Sequence, residues 1–210
     1  QDKYGGSLEN RARLLTEILS AIRQRVGSNF PIWCKIDSIE YGKEDGITLD
    51  DAKVTAQLAE QAGANAITVS SYHDPNRGAL HSESNIPHVP NRMVTNAAAI
   101  KHVVSIPVIA SGRIEPESAE QHIREGNYDF LGMGRKILAD PDLPNKITSG
   151  VPDQIRPCVY CYCCVSQIYV LKPVKCAVNP ETAFENTSRE LITTDRPRHI
   201  AVIGGGPGGM

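Results

Sequence analysis

No apolar run in these 210 residues approaches the ~20 needed to cross a bilayer, so no membrane-spanning helix is expected. Neither sign of charge dominates. The chain has 22 Lys and Arg against 24 Asp and Glu, a net charge of −2 and a pI near 6.3. The basic footprint of a nucleic-acid binder is therefore missing. A secretory leader pattern is missing too, and five of the six cysteines crowd between Cys158 and Cys176. A disulfide framework is not expected, and the setting reads as reducing and cytoplasmic. Apolar residues make up 40% and charged residues 22%, a balance that suits one good globular core.

What is present is concentrated chemistry. Cys158, Cys161, Cys164 and Cys176 follow a Cys-x2-Cys-x2-Cys-x11-Cys spacing. A cubane iron–sulfur cluster needs four thiolates, one per iron, and ligand sets of this shape are common for it. Tetrahedral zinc is the rival, although all-cysteine zinc sites usually arrive as two separated pairs. Cys163 adjoins Cys164 and could replace it, but Cys164 keeps equal gaps around Cys161. Cys34, in the apolar run Pro31–Ile36, reads as a small buried hydrophobe.

From residue 7 to residue 150, helix and strand patterns alternate. Leu15, Ile18, Leu19, Ile22 and Val26 fall at helical spacing behind Ser7, a candidate N-cap. Strands are expected over 32–36, 66–70, 108–111 and 130–133. Helices are expected from the capping box Thr48-x-x-Asp51 to Gly63, over 93–104, from Pro116 to Gly126, and after Pro141. Trp33 reads as a core residue. Apolar strands alternating with helices predict a parallel sheet, either doubly wound or part of a (β/α)8 barrel.

Loop chemistry favours the barrel. Ser111-Gly112-Arg113 closes one strand and Gly134-Arg135 follows the next, and the last loops of barrels often hold a phosphate. Glycine admits an anion close to the backbone, and Arg supplies a two-pronged charge. Four strands make half a barrel, which should not be stable alone. The remaining half, and more chain beyond residue 210, are expected elsewhere in the same polypeptide. The chain ends in a short apolar run followed by Gly204-x-Gly206-x-x-Gly209, a dinucleotide fingerprint whose confirming helix is not present.

The stretches DKYGGSLENRARLLTEIL, VIASGRI, FLGMGRKILADPDLPNK, RPCVYCYCC, KCAVNP and VIGGGPGG occur in that order. Together they resemble the iron–sulfur branch of the old-yellow-enzyme-like flavin oxidoreductases, which includes 2,4-dienoyl-CoA reductase and trimethylamine dehydrogenase. The resemblance implies three parts. Residues 1–150 would be the C-terminal half of an FMN-binding TIM barrel, and 151–197 a [4Fe-4S] segment. Residues 198–210 would open a Rossmann-like domain for FAD and NAD(P)H. It implies FMN phosphate contacts at Gly112, Arg113, Gly134 and Arg135, with Ser111 beside them. Lys35 would lie next to the flavin pyrimidine ring.

The activity implied is NAD(P)H-driven reduction of an activated C=C bond. Electrons would pass singly from the nicotinamide side through the cluster to FMN, which delivers hydride. His73, with Tyr72 beside it, is the proton-donor candidate, while His81 and His88 could shape the substrate pocket. The alternatives are an amine dehydrogenase of the trimethylamine dehydrogenase type, a zinc-stapled binding module, and a non-redox barrel enzyme acting on a phosphorylated metabolite. The substrate, the choice between NADH and NADPH, and any homo-oligomer stay open.

Overall fold

The computed structural model describes residues 2–73, 91–186, 196 and 198–206. The chain divides into two compact units, Gln1–Met133 and Gly134–Met210. Among the described residues no helix is long and apolar enough to cross a membrane.

The first unit begins with α1 (Leu8–Val26), which starts where Ser7 accepts a hydrogen bond from the Asn10 N–H at 3.4 Å. There follow β1 (Trp33–Tyr41), α2 (Leu49–Gln61), β2 (Ala66–His73) and α3 (Arg92–Lys101). Then come β3 (Val108–Ser111), α4 (Pro116–Arg124) and β4 (Phe130–Gly132). The capping box of α2 forms as expected: Asp51 N–H donates to Thr48 Oγ1 at 3.2 Å, and Thr48 N–H donates to Asp51 Oδ2 at 3.1 Å.

All three strand pairings are parallel, in the order β1-β2-β3-β4. Each strand lies beside its predecessor. A doubly wound sheet reverses direction at a switch point, whereas a barrel wall grows in chain order. The four βα units are therefore a stretch of barrel wall.

Strand periodicity decides which residues meet the helices. Ile36, Ile67, Val69, Val108 and Ala110 are buried in one cluster with Ala52, Ala56, Met93, Ala97 and Ile100 of α2 and α3. Burying a side chain such as Ile67 stabilises the unit by about 1.5–3 kcal/mol. The opposite sheet face carries Trp33, Lys35 and Asp37 of β1. Trp33 was expected in the core but is 60% exposed. It alternates with Cys34 and Ile36, so it points away from the helices. β1 and β2 also run further than their apolar runs suggested, to Tyr41 and His73. A register irregularity between Asp37 and Glu40 lets the pairing continue through polar residues.

The second unit holds α5 (Arg135–Ala139), α6 (Leu143–Thr148) and α7 (Cys163–Tyr169). The helix expected after Pro141 is α6. α5 gave no sequence sign, because five residues are too few to show a helical stripe. The Leu138 carbonyl anchors the later chain, accepting from Asn179 Nδ2 at 2.9 Å and Thr182 Oγ1 at 3.0 Å. The strand expected just before Gly204 does not form. Residues 198–205 have no regular structure, and Ile200 and Ile203 are 83% and 98% exposed. A strand needs a ladder partner, and no described segment pairs with this one.

Candidate functional site

In the first unit, the sheet face on which no described helix packs turns polar towards the C-terminal strand ends. Lys35, Thr68, Ile109 and Phe130 form one row across the four strands. The next row holds Asp37 paired with Ser70, and Ser111 paired with Gly132. Lys35 is exposed on this face. The Ser70 hydroxyl donates to Asp37 Oδ1, and Ser111 Oγ donates to the Val69 carbonyl at 3.1 Å. A Cβ on Gly132 would lie 3.3 Å from Ile109 Cγ2 and from Ser111 Cβ, so glycine keeps this corner open.

A buried knot fixes the same strand ends from the helix side. Ser38 Oγ donates to the Ser70 carbonyl at 2.8 Å, and Asn96 Nδ2 on α3 donates to Ser38 Oγ at 2.9 Å. Directly after β3, Gly112 and Arg113 both take positive φ, 112° and 44°. Arg rarely adopts that conformation, so the surroundings hold this turn in place.

Tyr72 and His73 end β2, in register with Glu40 and Tyr41. Their side chains, with His81, His88 and all of residues 74–90, lie outside the described residues. So does Gly209, whereas Gly204 is described with φ 114°. Gly206 is described too, and an added Cβ there would meet nothing within 4 Å. The first-unit thiol Cys34 is half-buried against the core, and burial pushes its pKa up. That direction suits a packing residue.

The second unit gathers the other cysteines. Cys158, Cys161, Cys164 and Cys176 line one pocket, together with Arg135, Leu138, Tyr160 and Tyr162. Cys163 is not on its wall. As they stand, no three His, Cys, Asp or Glu side chains among the described residues are in position to hold a single metal ion. The backbone between the cysteines is contorted, with Tyr160 and Tyr162 both left-handed at φ 51° and 61°. Tyr162 is also the N-cap of α7, which presents Cys164 in its first turn. Burial pushes the Cys164 thiol up, and the Arg135 charge acts against that rise.

Arg135 is the first residue of α5, behind Gly134, where an added Cβ would meet nothing within 4 Å. Its guanidinium carbon stands 5.2 Å from the Tyr160 ring and 5.1 Å from the Tyr162 ring. The donor types suit a sulfur-ligated centre: all four cysteines line one hollow, and among the described residues Arg135 Nη1 on its wall is buried without a hydrogen-bond partner.

A profile of the NADH:flavin oxidoreductase / NADH oxidase family matches residues 1–154. The chain belongs to this family. Three similarities extend the match. A metal reductase of Desulforamulus reducens is 39% identical over 216 residues, covering all of this chain and 31% of the relative. An N,N-dimethylglycine/sarcosine dehydrogenase of Chromohalobacter salexigens is 36% identical, covering all of this chain and 31% of the relative. A 2-naphthoyl-CoA reductase, solved with 2-naphthoyl-CoA, is 31% identical with a TM-score of 0.81, covering 88% of this chain and 28% of that one. The chain thus spans about a third of the length of the curated relatives it matches.

In this family member, some features of both sites escaped the sequence reading. Asp37 and Ser70 were not singled out, although counting by twos from Lys35 reaches Asp37. Tyr160 and Tyr162 stood in plain view between the cysteines, but nothing in their spacing showed that they would flank Arg135.

Proposed function

We propose that this chain is part of an NAD(P)H-dependent flavin oxidoreductase that reduces an activated C=C bond of the enoate or 2,4-dienoyl-CoA type. The observation that carries this reading is the pocket that Cys158, Cys161, Cys164 and Cys176 all line, in a chain of a flavin oxidoreductase family. The 31% identity to 2-naphthoyl-CoA reductase supports the substrate class.

FMN would supply hydride to the substrate carbon, and a [4Fe-4S] cluster would supply single electrons. The chain's own residues supply the rest. Lys35 would place a cation against negative charge at the pyrimidine edge of the flavin. Ser111, Gly112 and Arg113 would hold the phosphate, the glycine by close backbone approach and the arginine by paired donors. The four thiolates would hold the cluster, leaving Cys163 outside the ligand set. His73, with Tyr72 beside it, would give a proton to the carbon next to the one receiving hydride. Gly204, Gly206 and Gly209 would admit the pyrophosphate of FAD or NAD(P)H.

The test is to purify the complete gene product without oxygen and count its cofactors. About four irons with matching acid-labile sulfide, bound flavin, bleaching by NADH or NADPH and reoxidation by an enoate are expected. Stoichiometric zinc in a colourless protein would overturn the reading. A second reading, amine oxidation, draws on the 36% identity to a dimethylglycine/sarcosine dehydrogenase. Flavin reduction by a methylated amine, with none by NAD(P)H, would decide for it. A His73→Ala variant with normal turnover would remove that residue from the proton transfer.

A further inference from the structure

We propose that Asp37 is a specificity-determining residue of the flavin site, a carboxylate that turns away substrates bearing a free carboxylate and admits neutral conjugated esters, thioesters and ketones. This rests on the C=C reductase reading above and narrows its substrate class.

Asp37 shares a sheet face with Lys35. Its two neighbours in β1, Ile36 and Ser38, are 8% and 0% exposed. Both lie on the helix side, so strand alternation sends Asp37 to the opposite face. Its carboxylate stands one row nearer the C-terminal strand ends than Lys35, about 6.5 Å along the strand.

The aim of this side chain is built into the strand. Directly after the Asp37–Ser70 pair, the β1–β2 ladder loses register between Asp37 and Glu40. Irregularities of this kind beside functional sites re-aim a side chain, and this one is locked from the helix side. Ser38 Oγ donates to the Ser70 carbonyl at 2.8 Å. Asn96 Nδ2 donates to Ser38 Oγ at 2.9 Å and to the Tyr41 hydroxyl at 3.3 Å. On the other face, the Ser70 hydroxyl donates to Asp37 Oδ1. That hydroxyl is the carboxylate's one partner among the described residues, and no described cation pairs with it.

Charge decides what this group does. In the two rows of this face, Lys35 and Asp37 are the charged residues, among Thr68, Ile109, Phe130, Ser70, Ser111 and Gly132. The Lys35 cation would be taken up by the negative pyrimidine edge of the flavin. Asp37 is then an anion held in place by a neutral hydroxyl. A substrate carboxylate that approaches it meets a like charge, and in an enclosed site that repulsion is far stronger than in water. A neutral conjugated carbonyl meets none.

The test uses the complete gene product with bound flavin, at neutral pH, with NADH or NADPH as reductant. Values of kcat/KM are measured for matched pairs: trans-cinnamate with methyl cinnamate, and sorbate with methyl sorbate. Esters are intrinsically more reactive, so the readout is the acid-to-ester ratio of each variant relative to wild type. Asp37→Asn, which keeps an oxygen for Ser70, should raise that ratio about tenfold or more. Asp37→Glu, which keeps the charge, should leave it close to wild type. A purely structural role would move both members of a pair together and leave the ratio alone.

An unchanged ratio in flavin-loaded Asp37→Asn would overturn the inference while leaving the C=C reading intact. Should Asp37→Asn lose its flavin, Asp37→Ser replaces it, and loss of flavin from both makes Asp37 a structural residue and overturns the inference. A wild-type protein that reduces no member of either pair, or whose flavin is reduced by a methylated amine and not by NAD(P)H, would overturn the C=C reading and this narrowing together.

Discussion

Asp140 is only 3% exposed, yet its carboxylate is fully engaged. It accepts from Lys146 Nζ at 2.7 Å, from the Arg156 backbone N–H at 2.8 Å and from the Asp142 N–H at 3.1 Å. Burial alone pushes its pKa up, but the ammonium and the two N–H groups outweigh that and hold it below the usual carboxylate range. Its folded pKa therefore lies below the unfolded value of about 3.9, so its contribution is complete above that value and fades as pH falls through the folded pKa. Asp140→Asn should destabilise the second unit by about 2–3 kcal/mol at pH 7, the scale of hydrogen bonds to a charged group. Urea unfolding of wild type and variant should show the gap closing below about pH 4. A gap of constant size down to pH 3 would mean that the charge contributes nothing. This role was not legible in sequence: the partners at 142, 146 and 156 follow no period, and the motif reads equally well as a turn. Lys35 was singled out through the resemblance and as a strand-end residue, whereas the strand runs on to Tyr41 and alternation with Cys34 and Ile36 sets its face.

Four helices end in one hydrogen-bond pattern, and one departs in residue type. After α2, Gly63 N–H donates to Glu60 O and Ala64 N–H to Ala59 O, both at 3.0 Å. The same crossed pair follows α4 at Gly126 and α6 at Gly150. These are Schellman turns, which require a left-handed residue, and the three glycines have φ of 101°, 75° and 71°. α7 ends alike, with Leu171 N–H to Ile168 O at 3.2 Å and Lys172 N–H to Gln167 O at 3.0 Å, but here the left-handed position is Leu171 at φ 52°. Its side chain is 95% exposed and contributes no burial. Leu171→Gly should therefore stabilise the second unit by about 1 kcal/mol, the cost of a left-handed Cβ, and Gly126→Ala should cost the first unit a similar amount. Thermal unfolding that moves the same way for both changes would refute the argument. Gly63 and Gly126 were readable in advance because glycine announces the turn. α7 and its leucine end were not, since seven residues with cysteines and a β-branched valine carry no helix signal.

At the scale of the element assembly, the described helices of the first unit pack on one face of its sheet only. Parallel sheets are ordinarily covered on both, but here Trp33 and Phe130 on the bare face are 60% and 57% exposed. The polar rows towards the C-terminal strand ends share that face, as expected of a barrel interior whose chemistry sits at one end. Because the relatives are about three times as long, the face invites a test with opposite outcomes in two settings. In residues 1–210 alone, Trp33→Lys together with Phe130→Lys should lower dye binding to exposed apolar surface and reduce self-association. Two large apolar groups leave water-facing positions, and the new charges stay solvated. In the complete gene product, the same pair should lower stability by several kcal/mol and loosen the bound flavin, since an unpaired ammonium inside a closed barrel loses its hydration. Unchanged stability and flavin binding in the complete gene product would mean that this face is open in the complete protein too, and that the wall does not close.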